Sequence, residues 1–320
     1  MSAVSLLKKI LPFAFGIALL FIIVQRAGIG EVAASVSSAD KSLLAACLVI
    51  FFFNIMLRAF RWSLTLSKLV RLRLRDACMT YFAGQTVNEV LPVGSGELTR
   101  AQFIKRLSGT SRSKVLAPLM VERTLDVFVL LAFSAFGVGL LGGDHPFILS
   151  AIALIIAFLL LVLFKPSVAP QSVKLFSFAA IGPLKTPYAR LAGVIASFAE
   201  SLRTYSSDRR LLVSLLAVTA LIWLFEVGSF LLVVRAIGLP LSYSQLLPIA
   251  AVAWLVGAFS FLPGGIGARD AAFSLLVASA GYPLTLGISA SFVYRGVVYL
   301  VLGAAGVYSF VTLAARPQKN

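Results

Sequence analysis

Long apolar runs alternate with short basic segments along the chain. A helix that crosses a bilayer needs about 20 predominantly apolar residues, and tilt and flanking residues widen that range. Six runs predict such crossings: 11–24, 43–60, 115–141, 148–164, 211–234 and 284–314. A further apolar run lies at 246–261. Two shorter runs, 77–91 and 271–280, are too short or too interrupted by glycine to predict full crossings.

The amino-acid composition indicates the class of protein to which these predicted helices belong. Of 320 residues, 60% are apolar and 12% are charged, and the mean hydropathy is +0.99. Such values exclude a soluble globular enzyme and predict an all-α integral membrane protein. The first run is expected to remain as a helix, because residues 25–28 after it carry no signal-peptide cleavage pattern.

The basic residues predict how the runs lie in the membrane. A net charge of +16 would favour nucleic acid as the partner of a soluble protein, but here most of the 28 Lys and Arg fall on one side of the predicted spans. We therefore expect no nucleic-acid partner, cytoplasmic termini and a location in the inner (cytoplasmic) cell membrane. Basic groups on both sides of 77–108 predict a re-entrant hairpin from the cytoplasm, and 245–281 is then a second one from outside.

The two predicted hairpins carry related turns. The pattern L-P-x-G-x-G occurs at 91–96 and again at 262–267, and Arg123 and Arg295 follow at nearly equal spacing. This predicts two halves, each of span, span, re-entrant hairpin and span, with six full crossings in total. Because each half crosses the membrane an odd number of times, the second half is predicted to be inverted relative to the first, as in many transporters. The halves are predicted at 1–141 and 142–320, with an interfacial linker at about 165–210.

Several motifs together resemble those of one membrane-protein family. They are N-x-x-L-P-x-G-x-G-E-x-x-R at 88–100, E-R-x-x-D at 122–126, L-P-G-G-I-G at 262–267 and the late Arg295. The chain is similar to the flippase-like family named for the transmembrane region of lysylphosphatidylglycerol synthase. The resemblance implies movement of a lipid or lipid-linked head group between leaflets. In bifunctional members lysyl transfer belongs to a separate soluble domain, which is not expected here, so we expect neither enzymatic activity nor a cofactor.

The hairpin tips are the predicted binding site. Proline ends the first limb, glycines allow the turn, and a second limb beginning near Gly96 and Gly267 would offer backbone N–H groups to an anion such as phosphate. The alternative is an ordinary loop between helices. The candidate substrate-binding residues are Asn88, Gly94, Gly96, Glu97, Arg100, Arg123, Gly265, Gly267 and Arg295. Gly96→Ala and Gly267→Ala are expected to reduce transport more than stability.

Charged residues inside the apolar segments are the second candidate feature. Arg123 and Arg295 lie deep in their spans, where a charge needs a partner or a wet cavity. They are predicted to clamp a phosphate or, alternatively, to form internal ion pairs, Arg123 with Glu122 and Asp126 and Arg295 with Glu226. Proton coupling or ion pairing is predicted for Glu122, Asp126, Glu226 and Asp270.

The count of these charges suggests more than a simple anion site. The hydrophobic segments and hairpins contain six acids, including Glu89 and Glu97, but only three bases, Arg123, Arg269 and Arg295. Either some carboxylates titrate and couple transport to protons, or the head group also bears a cation. The basic run from Arg58 through Arg61 to Arg75 is expected to lie on the anionic leaflet, as an anchor or for lipid capture.

The leading functional hypothesis is a translocase for a phospholipid or a polyprenyl-phosphate-type lipid. The alternatives are an ion-coupled transporter of a small solute and an accessory subunit of lipid or glycolipid biosynthesis; a homo-oligomer is left open. An intramembrane transferase is disfavoured, because no Walker loop, nucleophile elbow or metal cluster is present in the sequence. With only Cys47, Cys78 and His145 as soft ligands, no metal site is expected.

Overall fold

The computed structural model describes residues 29–91, 94–140, 156, 205–260 and 262–317. The predicted crossings at 11–24 and 148–164 and most of the linker at 165–210 lie outside these residues. Within the described ranges all extended regular structure is helical, as the apolar pattern predicts. Nine α-helices are described: α1 Ile29–Ser37, α2 Lys41–Leu66, α3 Leu74–Val90, α4 Ser95–Ser108, α5 Arg112–Leu140, α6 Arg209–Ala236, α7 Tyr243–Phe259, α8 Ala268–Ser279 and α9 Leu284–Ala315.

Three described helices are long and apolar enough to cross a membrane. They are α2, α6 and α9, with mean hydropathies of 2.3, 2.2 and 2.0 over their most apolar windows. Helix α5 matches the predicted run at 115–141 and is 29 residues long, but it carries Glu122, Arg123 and Asp126. The charged side chains of α5 belong to the candidate site.

Aspartates cap the N-termini of the long helices α2 and α6. Asp40 accepts hydrogen bonds from the backbone N–H groups of Ser42 and Leu43 at the start of α2, at 2.8 and 3.2 Å. Hydrogen bonds from Ser42 and from these N–H groups lower the pKa of Asp40. Asp208 accepts from the Leu211 N–H of α6, and its pKa is lowered by the hydrogen bond from Lys68 and by backbone donors.

Helical hairpins occur at both predicted places. Helices α3 and α4 pack against each other around the turn at 91–94, so the first hairpin covers 74–108 rather than 77–108. Helices α7 and α8 pack around a short 3₁₀ turn, Pro263–Gly265, so the second covers 243–279 rather than 245–281. Entry of each hairpin from one side of the bilayer stays a prediction.

The packing between the two predicted halves is reciprocal. Helix α3, the first limb of one hairpin, packs against α9 of the other half, and α7, the first limb of the second hairpin, packs against α5. The corresponding helices α2 and α6 are antiparallel neighbours: Asp40 N–H donates to the carbonyl of Ala236, and Lys68 reaches Asp208 at the opposite end. The inverted repeat stays a prediction, and this antiparallel pair is the observation that supports it.

Small residues allow the reciprocal contacts to be close. A Cβ atom on Gly306 of α9 would lie 1.7 Å from the Thr86 hydroxyl of α3, and one on Gly137 of α5 would lie 1.9 Å from Pro248 of α7. The Thr86 hydroxyl also donates to the carbonyl of Leu302 at 2.9 Å. Glycine therefore lets each hairpin approach the long helix of the opposite half, as in many membrane helix interfaces.

Segments assigned to the cytoplasmic side meet at one end of the molecule. Arg316 at the end of α9 pairs with Asp76 in the first turn of α3 at 2.6 Å, and Lys68 pairs with Asp208 at 2.6 Å. The seven-residue connection between α2 and α3 keeps both pairs near the same end. The arrangement agrees with a shared side for these segments, while the direction of that side in the cell stays a prediction.

Candidate functional site

The tip of the first hairpin is closed by its own side chains. Gly94 has φ +91° and allows α4 to begin at Ser95. The N–H of Gly96 donates to Asn88 Oδ1 at 2.8 Å, and Asn88 Nδ2 donates to Glu97 Oε1 at 3.3 Å. Asn88 therefore links the end of α3 to the start of α4.

Arg123 of α5 reaches this tip. Its guanidinium forms an ion pair with Glu97 and lies 3.9 Å from a carboxylate oxygen of Asp126. The Arg123 side chain is 54% exposed, whereas the side chain of Glu97 is only 17% exposed. The pair thus leaves about half of the Arg123 side chain accessible next to the N-terminus of α4.

The second tip is built from more glycine. Gly264, Gly265 and Gly267 have φ of +53°, +63° and +83°, values that side-chain-bearing residues rarely adopt. Helix α8 then begins at Ala268, and Asp270 Oδ2 accepts from the Gly267 N–H at 2.9 Å. This hydrogen bond therefore links the tight turn to the first turn of α8.

Arg295 of α9 closes the second tip. Its Nη2 lies 2.6 Å from Asp270 Oδ2, and Nη1 donates to the carbonyl of Gly264 at 3.3 Å. Only 7% of the Arg295 side chain is exposed. The Arg295–Asp270 pair is therefore buried, whereas the Arg123–Glu97 pair is partly exposed.

The two ion pairs occupy corresponding places. Glu97 and Asp270 are each the third residue of the second limb, and each pairs with an arginine in the long helix that follows. A carboxylate in the first turn of a helix is favoured by the helix dipole. Asp270 thus has the same place in the second hairpin as Glu97 in the first, which gives a position to an acid whose role the sequence left open.

A buried network lies behind the first tip. Arg61 of α2 donates to Asp126 at 2.6 and 3.2 Å, to Thr219 at 3.0 Å and to Glu122 at 3.3 Å. Arg100 of α4 pairs with the other Glu122 oxygen at 2.8 Å. Each carboxylate of the Glu122 and Asp126 pair therefore has a guanidinium of its own.

Aromatic rings enclose these guanidinium groups. Arg100 lies over the rings of Trp62 and Tyr81, at 4.9 and 4.7 Å from their centroids. The Trp223 indole N–H donates to Asp126 at 3.0 Å, and Arg58 lies 4.8 Å from the Trp223 ring centroid. Cation–π contacts and hydrogen bonds together compensate for burial of the charges.

Glu226 belongs to a different pair from the one predicted. It binds Arg58 at 3.1 Å and accepts a hydrogen bond from the Asn54 amide, while Arg295 pairs with Asp270. The prediction of Glu226 beside Arg295 was wrong, because α6 packs against α2, which brings Arg58 to Glu226, while Arg295 pairs with Asp270 of its own hairpin tip. Arg58, Arg61 and Asn54 are site residues that the sequence interpretation missed.

Comparison with known proteins identifies the family. The model of the family described as "Lysylphosphatidylglycerol synthase TM region" matches residues 9–306. The chain belongs to this family. The resemblance predicted from the hairpin and arginine motifs is confirmed, and the chain is an integral membrane protein.

The curated relatives of this family member are full-length matches with modest identity. A UPF0104 membrane protein of Methanothermobacter thermautotrophicus is 23% identical over 317 residues, 94% of each chain. A second from that organism is 27% identical over 310 residues, which cover 94% of this chain and 92% of the relative. One from Pyrococcus horikoshii is 24% identical over 309 residues, covering 90% and 92%.

The basic run at Arg58 and Arg61 requires a correction. The predicted span at 43–60 extends as helix α2 to Leu66, so both arginines point into the helix bundle and not onto the leaflet surface. They are three residues apart, on one helical face, and α2 buries Trp62 beside them. The three-residue spacing of the two arginines was the sequence signal that could have predicted their position inside the helix bundle.

The predicted excess of acids also disappears in this family member. Among the described residues, Arg58, Arg61 and Arg100 join Arg123, Arg269 and Arg295, so six bases now face the six acids. The excess of acids from which either proton coupling or a cationic head group was inferred is therefore not present among these residues.

The expected free backbone donors at the tips are partly occupied. The second limbs do begin at the predicted glycine-rich turns, yet the Gly96 N–H is held by Asn88 and the Gly267 N–H by Asp270. An anion would have to displace these side-chain acceptors. The tips are therefore closed on themselves in this structure.

The two glycines of the first tip are expected to respond differently to alanine. A Cβ on Gly96 would lie 2.2 Å from the carbonyl oxygen of Gly84, whereas Gly94 has open space around it and needs only its positive φ. Gly96→Ala should therefore force the limbs apart and lower the unfolding temperature in detergent much more than Gly94→Ala, whose strain costs roughly 1–2 kcal/mol.

From the sequence, Gly96→Ala was expected to reduce transport much more than stability, and the close packing now predicts a large loss of stability as well. Gly30→Ala, in open space on α1, is the matched control and should change the unfolding temperature little. Equal unfolding temperatures for the Gly94 and Gly96 variants would contradict the tight contact between α3 and α4.

Proposed function

We propose that the chain moves a phosphate-bearing lipid or lipid-linked head group between the leaflets of the membrane. The observation that carries this proposal is Arg123, whose side chain on α5 is 54% exposed beside the N-terminus of α4. Arginine binds phosphate oxygens through two parallel N–H donors, and a helix N-terminus favours an anion. A phosphate competes with the Glu97 carboxylate for Arg123.

The second ion pair extends the proposal to a mechanism. Arg295 and Asp270 occupy the corresponding place in the other half but are buried. In a transporter with an inverted repeat, the site is open to one side of the membrane at a time. One of two equivalent arginines is then accessible and the other is buried. Exchange of the exposed and buried states carries the head group from Arg123 toward Arg295.

The energy source and partners belong to the same proposal. No Walker loop is present in the sequence, so movement is downhill or is driven by an ion gradient or by a partner. The chain acts as a transporter, not as an enzyme, and its substrate is a phospholipid or a polyprenyl-phosphate-type lipid. Basic segments on the cytoplasmic side hold it to the anionic inner leaflet.

Reconstitution into liposomes tests the function. Fluorescent phospholipid and polyprenyl-phosphate analogues are placed in both leaflets, and a membrane-impermeant quencher reports how fast the inner pool reaches the outside. We expect quenching of at least one phosphate-bearing analogue to go to completion with the protein and to stop near half without it. A protein that moves no lipid analogue but takes up a small phosphorylated solute would contradict lipid translocation and favour the solute transporter.

A further inference from the structure

Of the six acids predicted from the sequence to lie in the spans and hairpins, five pair with an arginine and Glu89 does not. Glu97 pairs with Arg123, Glu122 with Arg100, Asp126 with Arg61, Glu226 with Arg58 and Asp270 with Arg295. Glu89 lies in the last turn of α3, at the contact between the two hairpins. Its charge is therefore the one acidic charge of this set with no ion pair in the described part of the chain.

The two carboxylate oxygens of Glu89 have different surroundings. Oε1 accepts a hydrogen bond from Gln85 Nε2 at 3.1 Å. Oε2 is enclosed and has no hydrogen-bond partner among the described residues. The C-terminal turn of a helix also presents backbone carbonyls, whose dipoles disfavour a negative charge. A negative charge on Oε2 would therefore have no compensating donor among the described residues.

The enclosed oxygen faces the turn of the second hairpin. A Cβ built on Gly264 would lie 2.6 Å from Glu89 Oε2 and 3.6 Å from Arg295 Nη1. Helix α3 packs against the 3₁₀ turn Pro263–Gly265, so the end of the first limb closes directly onto the tip of the second hairpin. Glycine at 264 is what allows the carboxyl group to fit there.

The charged neighbours of Glu89 are already engaged. Arg295 donates to Asp270 and to the Gly264 carbonyl, and Arg269 lies 4.0 Å from Asp270. On α4 the facing acid is Glu97, which is held by Arg123 and Asn88. Tyr299 on α9 is near enough to Arg295 to interact electrostatically with it, as is Glu89. A change of charge at Glu89 thus occurs among groups that have fixed partners.

We propose that Glu89 is a proton-binding site that holds the two hairpin tips together when protonated and lets them separate when it ionises. The neutral group tolerates an enclosed oxygen, and the carboxylate requires donors that only separation of the tips supplies. A proton taken up on closure is released on opening. The use of this proton to drive head-group movement rests on the proposed function, but the proton-dependent contact does not.

Distance measurements on the purified protein test the contact without any transport assay. Spin labels are placed at Leu91 and Phe259, which are exposed at the ends of α3 and α7, in a background lacking Cys47 and Cys78. With Glu89 present, we expect a short distance at acidic pH and a growing population of longer distances as the pH rises. Glu89→Gln mimics the neutral acid and should keep the short distance at every pH.

Two further variants make the result decisive. Glu31→Gln changes an exposed acid on α1 and should keep the pH response. Gln85→Leu removes the described donor to Glu89 and should move the opening to higher pH, which tests the site even if Glu89→Gln does not accumulate. A protein without a pH response, or one whose response survives Glu89→Gln, would overturn the proposal.

Transport separates this inference from the proposed function. In proteoliposomes with a pH gradient, lipid movement by the unmodified protein should change with the gradient, and movement by Glu89→Gln should not. A pH-dependent tip distance in a protein that moves no lipid would count against the translocase and leave the proton site standing.

Discussion

Arg61→Ala is expected to destabilise the folded protein by about 3–5 kcal/mol, the usual cost of breaking a buried ion pair on one side. Arg61 is buried and donates to Asp126, Glu122 and Thr219. Without it, Asp126 keeps the Trp223 indole but loses its nearest cation. The unfolding transition of the detergent-solubilised protein should therefore fall well below that of the unmodified chain.

Two comparisons assign this loss to the uncompensated charge. Lys68→Ala breaks a pair whose side chains are 33% and 38% exposed, so it should change stability little. Arg61→Met combined with Asp126→Leu removes both charges and should recover part of the stability lost in Arg61→Ala. If the double variant is less stable than the single one, packing of α2 and not the charge explains the loss.

The fold was predictable where the hydrophobic pattern is long and uninterrupted. Runs at 43–60, 211–234 and 284–314 became α2, α6 and α9, and the two glycine-rich turns became hairpin tips. These features follow from local chemistry: apolar length predicts a span, and the L-P-x-G-x-G pattern ends one helix and begins another. Helix ends were less well predicted, since α2 continues six residues past the apolar run.

That extension caused the main error about the site. An arginine just past an apolar run usually lies at the membrane surface. Arg58 and Arg61 instead face acids on α5 and α6, more than 60 residues away in sequence. Single-sequence reasoning has no access to such pairings, which depend on how helices distant in the chain pack together.

The equivalence of Glu97 and Asp270 was hidden for a similar reason. Counted from the turn prolines, the two acids differ in position, and the pattern of the second turn therefore looked altered. Counted from the first residue of α4 and α8, both are third residues and both pair with the next long helix. Helix geometry, not sequence spacing alone, defines the repeat of the site.

Arg123→Ala is expected to abolish most head-group movement while changing stability by about 1 kcal/mol or less, because a pair with one exposed partner contributes little to folding. The Arg123 side chain is 54% exposed, and Glu97 keeps a hydrogen bond from Asn88 when the arginine is absent. Lipid translocation in proteoliposomes and the unfolding temperature in detergent measure the two effects on the same preparation.

Arg295→Ala is the matched comparison, because the Arg295–Asp270 pair corresponds to the Arg123–Glu97 pair but is buried. Asp270 is 3% exposed, so removal of Arg295 should lower stability as well as transport. Arg123→Lys keeps a charge but not the paired donors and should retain only part of the activity. Loss of stability in Arg123→Ala as large as in Arg295→Ala would make both pairs structural, whereas full transport by Arg123→Ala would remove the exposed guanidinium from the path of the head group.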